Sequence, residues 1–267
     1  MMAPDTFHPT SYPDVNAIVY ELQTSVTAIL GPHLVGMYLE GSLNSDAFDD
    51  ASDIDFLVIT EDEITDEQFA QLQQMHERIA TLPSRWALDL EGSYIGRRAL
   101  RRLDRQNNTH PNLERGRGER LKWVQHDAAW VIHRSILLER GITVFGPPPQ
   151  ELVDPVSATD LRQALASMFP TWSAPLLKDP VHIQGRGYQS YVVLSCCRVL
   201  YTLHYGTVAS KATAARWAQT ALDDKWAPLI ERAIEGRHQP NLQVTPEDIA
   251  LTQELMRETL QAIGNGR

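Results

Sequence analysis

The stretch Gly146-Pro147-Pro148-Pro149-Gln150-Glu151-Leu152-Val153-Asp154-Pro155-Val156 divides this chain of 267 residues. Its four prolines lack amide donors and fix φ, so neither a helix interior nor a central strand runs through it. Strand-like and helix-like segments alternate before it, and only helical periodicity follows it. The pattern predicts an α+β chain: an N-terminal domain over 1–150, with a mixed β-sheet flanked by helices, and a C-terminal α-helical bundle over 151–267.

In the first half, Asp14 is a candidate cap for a helix with Val15, Ile18, Val19, Leu22, Val26 and Ile29 on one side, ending near Gly31-Pro32. Strands are expected at 35–40, 54–60 and 86–95. Thr65 and Gln68 form a capping box for a helix running to about Leu82. The basic stretch 97–120 reads as loop in large part, followed by a helix over about 121–140 and a strand over 142–146. Beyond the break, Ser157 and Asp160 open a helix, and others are expected near 188–204, 211–222, 224–235 and 246–263.

No apolar run approaches the ~18 residues that span a bilayer, and the N-terminus lacks the basic and apolar regions of a signal peptide. Cys196 and Cys197 are the only cysteines, too few for a disulfide framework or a zinc site, so a reducing cytoplasm is the expected location. A net charge of −10 argues against sequence-independent binding to duplex nucleic acid and against a template polymerase. The composition fits a soluble monomer without a membrane or nucleic-acid partner.

The segment with chemical content runs from Gly41-Ser42 to Asp53-Ile54-Asp55. A glycine lets the backbone approach a ligand, and a serine with free amides at a turn attracts phosphate oxygens. Asp53 and Asp55 lie two apart on a predicted strand and share a face, with Ile54 turned to the core. Two carboxylates on one face call for a cation, and Mg2+ takes hard oxygen ligands while keeping water and phosphate in its shell. The third strand supplies Asp89 and Glu91; placed beside Asp55, Glu91 would bind metal or take a proton from an attacking hydroxyl.

Gly41-Ser42, ten residues, then Asp53-x-Asp55 on a strand resembles the polymerase-β-type nucleotidyltransferases. More closely, the chain resembles the aminoglycoside 3''-adenylyltransferases that inactivate streptomycin and spectinomycin. Supporting features are the Gly-Pro after 142–145, the phrase Glu151-Leu152-Val153-Asp154-Pro155-Val156, and Arg198 followed thirteen residues later by Lys211. The resemblance implies that Mg2+-ATP donates AMP to a drug hydroxyl with release of pyrophosphate. It implies further that Ser42 and Ser52 touch the triphosphate, that Asp53 and Asp55 hold Mg2+ together with Glu91, and that Glu91 is the catalytic base. Arg198 and Lys211 would contact ATP phosphates from the helical domain, and Asp127 matches an acidic position that the resemblance places at the interdomain cleft. The streptomycin enzymes carry a tryptophan in the loop after the third strand, which is absent here. They also carry an aspartate where this chain has Tyr188. Both differences fall on drug recognition, so the alternatives are a different small-molecule or protein hydroxyl as acceptor, or a nucleotide sensor without turnover.

Several residues have simpler readings. His126 and His133, seven apart, would share a helix face and pack. Trp123 is expected in a helix core, and Trp217, Trp226 and Ile230 in the core of the bundle. Arg97, Arg98, Arg101 and Arg102 are expected on a solvated face.

Overall fold

The computed structural model describes residues 7–44, 48–102 and 109–265. Part of the expected 97–120 loop (103–108), and residues 45–47 between Gly41-Ser42 and Asp53, lie outside the described residues. The chain forms two compact units, Met1–Pro155 and Val156–Arg267.

The first unit begins with α1 (Pro13–Leu30). Asp14 does not cap it: Pro13, whose missing amide costs nothing at the first position, opens the helix, and Asp14 sits in the first turn. Gly31 closes α1 at φ 51°, and β1 (Leu34–Leu39) follows. A short 3-10 turn, Gly41–Asn44, leads out of β1. Next come β2 (Ile54–Thr60) and α2 (Asp66–Ile79), the latter opened by the reciprocal Thr65–Gln68 capping box. β3 (Leu90–Gly96) is shorter than the 86–95 strand expected, because Arg85–Ala87 is a 3-10 turn that buries Trp86.

Two further strands replace much of what reads as loop and helix. After α3 (Arg97–Arg101), β4 (Thr109–Leu113) pairs antiparallel with β3, and β5 (Lys122–Gln125) pairs antiparallel with β4. The helix expected from 121 therefore starts only at α4 (Trp130–Arg140). Trp123 is not in a helix core; it projects from β5, 44% exposed, and stacks on Phe69 at 5.2 Å. His126 lies ahead of α4, so it does not share a helix face with His133. Instead it stacks on Trp130, and its Nε2 is 2.7 Å from the Arg134 guanidinium. β6 (Ile142–Phe145) and α5 (Pro149–Leu152) complete the unit.

The sheet order is β5-β4-β3-β2-β1-β6. β2 and β3 are parallel, while the other neighbouring pairs are antiparallel. The two sheet faces have different cores. Met37, Leu39, Ile54, Phe56 and Val58 join Val19 and Leu22 of α1 and Leu72 of α2. Tyr38, Leu57, Ile59 and Ile95 join Trp130 and Leu137 of α4 on the opposite face. Leu152 and Val153 pack into this second core.

The second unit consists of helices. α6 (Ala158–Lys178) begins with a reciprocal Ser157–Asp160 capping box. α7 (Arg186–Tyr205) stops before Gly206, and α8 (Lys211–Ala221) is capped by Ser210. α9 (Ala227–Gly236) is preceded by a 3-10 turn over Asp224–Trp226, and α10 (Pro246–Asn265) follows. Trp226 and Ile230 are fully buried, while Trp217 makes edge and tilted contacts with Tyr201, Tyr205 and His204. Asp248 binds Arg186 at 2.9 Å and Arg232 at 2.7 Å, so the buried carboxylate has two cationic donors. No described helix is long and apolar enough to cross a membrane.

Candidate active site

The strand register brings the acidic residues together. In the parallel pair, Asp55 stands opposite Glu91. In the antiparallel pair, Leu39 stands opposite Phe56, and the next residue, Glu40, donates its N–H to the Asp55 carbonyl at 3.0 Å. Glu40, Asp55 and Glu91 thus form one lateral row across β1, β2 and β3. Lateral neighbours share a face, and their Cβ atoms stand about 5 Å apart. Alternation along each strand assigns that face: Glu40 follows Tyr38 by two, Asp55 precedes Leu57 by two, and Glu91 precedes Ile95 by four. The row therefore continues the apolar strip that packs against α4. Asp53, just ahead of β2, is near enough for its charge to act on Asp55.

Gly41 closes the row against the chain. Its φ is +70°, and a Cβ there would lie 1.8 Å from Asp55 Oδ2. Only a glycine lets the Gly41 backbone lie against this carboxylate. Burial first, then the charges of Asp53, Glu91 and Glu40, hold the Asp55 carboxyl well above the usual carboxylate range; His133 opposes the shift. Glu40 is 8% exposed. Its Oε2 is 3.3 Å from His133 Nδ1 on α4, while its Oε1 is buried without a hydrogen-bond partner among the described residues.

Asp53 is engaged by Arg115 at 3.2 Å. Among the described residues, no three His, Cys, Asp or Glu side chains already stand as a metal cage. The donor set still fits a hard divalent cation: Asp53, Asp55 and Glu91 supply only carboxylate oxygens, and a dication offsets the burial and the neighbouring negative charges that raise the Asp55 carboxyl. Asp89 lies just before β3, and its carbonyl accepts the Ile54 N–H at 2.8 Å. Its carboxyl is raised by desolvation against the opposing charges of Arg115 and Arg85.

Ser42 is in the 3-10 turn beside Gly41. Ser52 is buried; its hydroxyl donates to Asp49 Oδ1 and accepts from the Asp49 N–H, both at 3.0 Å. That exchange fixes the turn delivering Asp53 to β2. Asp127 is exposed, and its Oδ1 accepts the Ala129 N–H at 2.8 Å just ahead of α4. In the second unit, Arg198 on α7 donates Nε–H to the Ala209 carbonyl at 3.1 Å. Lys211 opens α8, with Nζ 5.4 Å from the centre of the Tyr191 ring. The structure thus sets Glu91 beside Asp55 and brings the Asp53 charge to bear on the same carboxyl, next to the turn that carries Ser42.

Sequence reasoning does not single out Glu40. The signal available is an acid directly before Gly41-Ser42 at a strand end, but its lateral partner appears only with the β1–β2 register.

Comparison with known proteins bears on both units. Residues 151–261 match the family described as "Aminoglycoside adenylyltransferase, C-terminal domain". An aminoglycoside (3'')(9) adenylyltransferase of Klebsiella pneumoniae is 31% identical over 124 residues, 45% of this chain and 45% of that protein. The protein of the same description from Shigella flexneri is 26% identical over 246 residues, covering 82% of this chain and 87% of its own length. Among solved structures, a spectinomycin adenyltransferase from Enterococcus faecialis, with ATP and spectinomycin, superimposes with a TM-score of 0.71. That match spans 91% of this chain and 98% of the other at 17% identity, a likeness of fold.

Proposed function

We propose that the chain belongs with the aminoglycoside (3'')(9) and spectinomycin adenylyltransferases and transfers AMP from ATP to a hydroxyl of an aminoglycoside or aminocyclitol, releasing pyrophosphate. The observation that carries the reading is the Asp55–Glu91 lateral pair, with the Asp53 charge acting on Asp55 and the Gly41 backbone against its carboxylate.

Asp53 and Asp55 would hold Mg2+, with Glu91 within the same set. When bound, the ion neutralises phosphate charge and orients the triphosphate. Glu91 accepts the proton of the acceptor hydroxyl. That oxygen forms a bond to the α-phosphorus as the bond to the bridging α–β oxygen breaks, and pyrophosphate leaves. The resemblance assigns Ser42, Arg198 and Lys211 to the phosphates and Asp127 to the nucleotide, while the Ser52 hydroxyl, engaged with Asp49, holds the turn that delivers Asp53. Arg115, 3.2 Å from Asp53, competes with the ion for that carboxylate. The acidic row attracts the ammonium groups of the acceptor.

A different hydroxyl acceptor is the second reading. It is favoured by Tyr188, 41% exposed and stacked on Tyr191 at 5.7 Å, where the streptomycin enzymes carry an aspartate. Mass spectrometry after incubation with Mg2+-ATP and a panel including spectinomycin and streptomycin separates the two. A mass gain of one nucleotide on a drug supports the first reading; no gain on any member overturns it. Glu91→Gln should keep ATP binding by calorimetry and lose transfer at least ~100-fold. Retention of most of the activity would remove Glu91 as the base.

A further inference from the structure

Glu40 carries more than its place at the end of β1 requires. Its backbone pairs with Asp55 at 3.0 Å, so its side chain flanks Asp55 on the side opposite Glu91. It is nine-tenths buried, and one carboxylate oxygen contacts His133 while the other has no donor among the described residues. A buried carboxylate oxygen left without a partner costs about 1–3 kcal/mol or more. Proteins keep such groups where a ligand supplies the missing partner. The surroundings indicate which ligand. The neighbours acting on Asp55 are three carboxylates and one imidazole, and Arg115 is committed to Asp53. An anion is therefore repelled, and a cation or its bound water completes the set.

We propose that Glu40 is a fourth carboxylate of the divalent-cation site, flanking Asp55 on one side as Glu91 does on the other. The proposal deepens the metal reading and rests on it. Glu40 Oε1 takes the ion or an ion-bound water, while His133 competes for Oε2 from α4. The rival account is a purely structural Glu40–His133 ion pair between β1 and α4.

Mn2+ titrated into the full chain without nucleotide or acceptor, with the free-ion EPR signal as readout, separates these accounts without any turnover. Wild type is compared with Glu40→Gln, His133→Asn and Asp55→Asn. Glu40→Gln keeps the side-chain volume and should weaken Mn2+ binding about fivefold or more, the size of one nearby charge in partly screened surroundings. Its urea unfolding curve, recorded alongside, should stay close to wild type. His133→Asn should bind Mn2+ as well as or better than wild type, because it removes a competitor for Oε2. Asp55→Asn should lose binding by at least ~10-fold. Glu40→Gln binding like wild type while Asp55→Asn fails would overturn the Glu40 proposal alone. An equal loss in His133→Asn and Glu40→Gln would also overturn it, in favour of the structural pair. Asp55→Asn binding like wild type would remove the metal reading beneath it.

Discussion

Replacing Gly41 by alanine tests whether the turn after β1 positions the Asp55 carboxylate. Two costs follow from the geometry. A left-handed φ of +70° costs an alanine about 1–2 kcal/mol. The new Cβ would fall 1.8 Å from Asp55 Oδ2 and 2.8 Å from its Cγ. Ordinary contact begins near ~3.5 Å, so the carboxylate must move by about 1.5 Å. The far end of a short side chain can swing away at about 0.5–1.5 kcal/mol of rotamer strain. The sum, about 2–3 kcal/mol, should lower the melting midpoint by some ~4–10 °C. The functional loss should be larger, because a displacement of ~1 Å at a reacting centre can cost about 100-fold. Gly31→Ala is the control. Gly31 has φ +51° and nothing within 4 Å of the place an alanine methyl would occupy, so it carries the backbone strain without the clash. Differential scanning fluorimetry should show both variants destabilised, while AMP transfer falls about 100-fold only in Gly41→Ala. Equal activity in the two variants would refute the idea that the Gly41 backbone sets the Asp55 carboxylate.

Two further outcomes are expected. Burial pushes His76, hydrogen-bonded to the Tyr94 hydroxyl at 2.7 Å, down to about 3, and burial and His133 push His110 down to about 4. Below the ordinary histidine value of 6.5, the unfolded chain takes up protons that these folded rings refuse, so stability falls as pH drops. Each ring contributes up to ~1.4 kcal/mol per pH unit. Asp55, whose carboxyl is held up in the fold, offsets one of them, leaving a net slope of about that size between pH 6 and 4.5; a flat urea midpoint over this range would contradict it. Arg115→Ala removes the guanidinium from Asp53 and should tighten Mn2+ binding by about two- to fivefold, read by the same EPR titration; weaker binding would show that Arg115 supports the ion.

Local rules carry much of the architecture. The Thr65–Gln68 and Ser157–Asp160 boxes satisfy orphan amides within a few residues of themselves, and β2 begins and ends where its apolar run does. β4 and β5 escape a sequence reading because nothing local marks them. Thr109–Leu113 contains Pro111 and no alternation, and Lys122–Gln125 runs straight into a helical pattern; each is a strand because its partner is. The site divides along the same line. Asp55 stands out in the sequence as an acid in an apolar strand, with Asp53 just ahead of it, whereas the lateral placement of Glu91 and Glu40 depends on strand register. Ser52 can be picked out as a hydroxyl near the acids, but its exchange with Asp49 belongs to the fold of the turn.

Because β2 and β3 run parallel, Asp55 and Glu91 meet only through the long crossover that contains α2. The connection after α2, from Ala80 to Asp89, can gain or lose a residue at modest cost, since loop closure depends weakly on length. A one-residue indel inside β3 is another matter: every side chain upstream of it changes face, Glu91 goes into the core with Phe56, and a hydrophobe takes its place in the acidic row. Drift in this enzyme is therefore tolerated by the reading frame of its loops and forbidden by that of its strands, whatever residues occupy either.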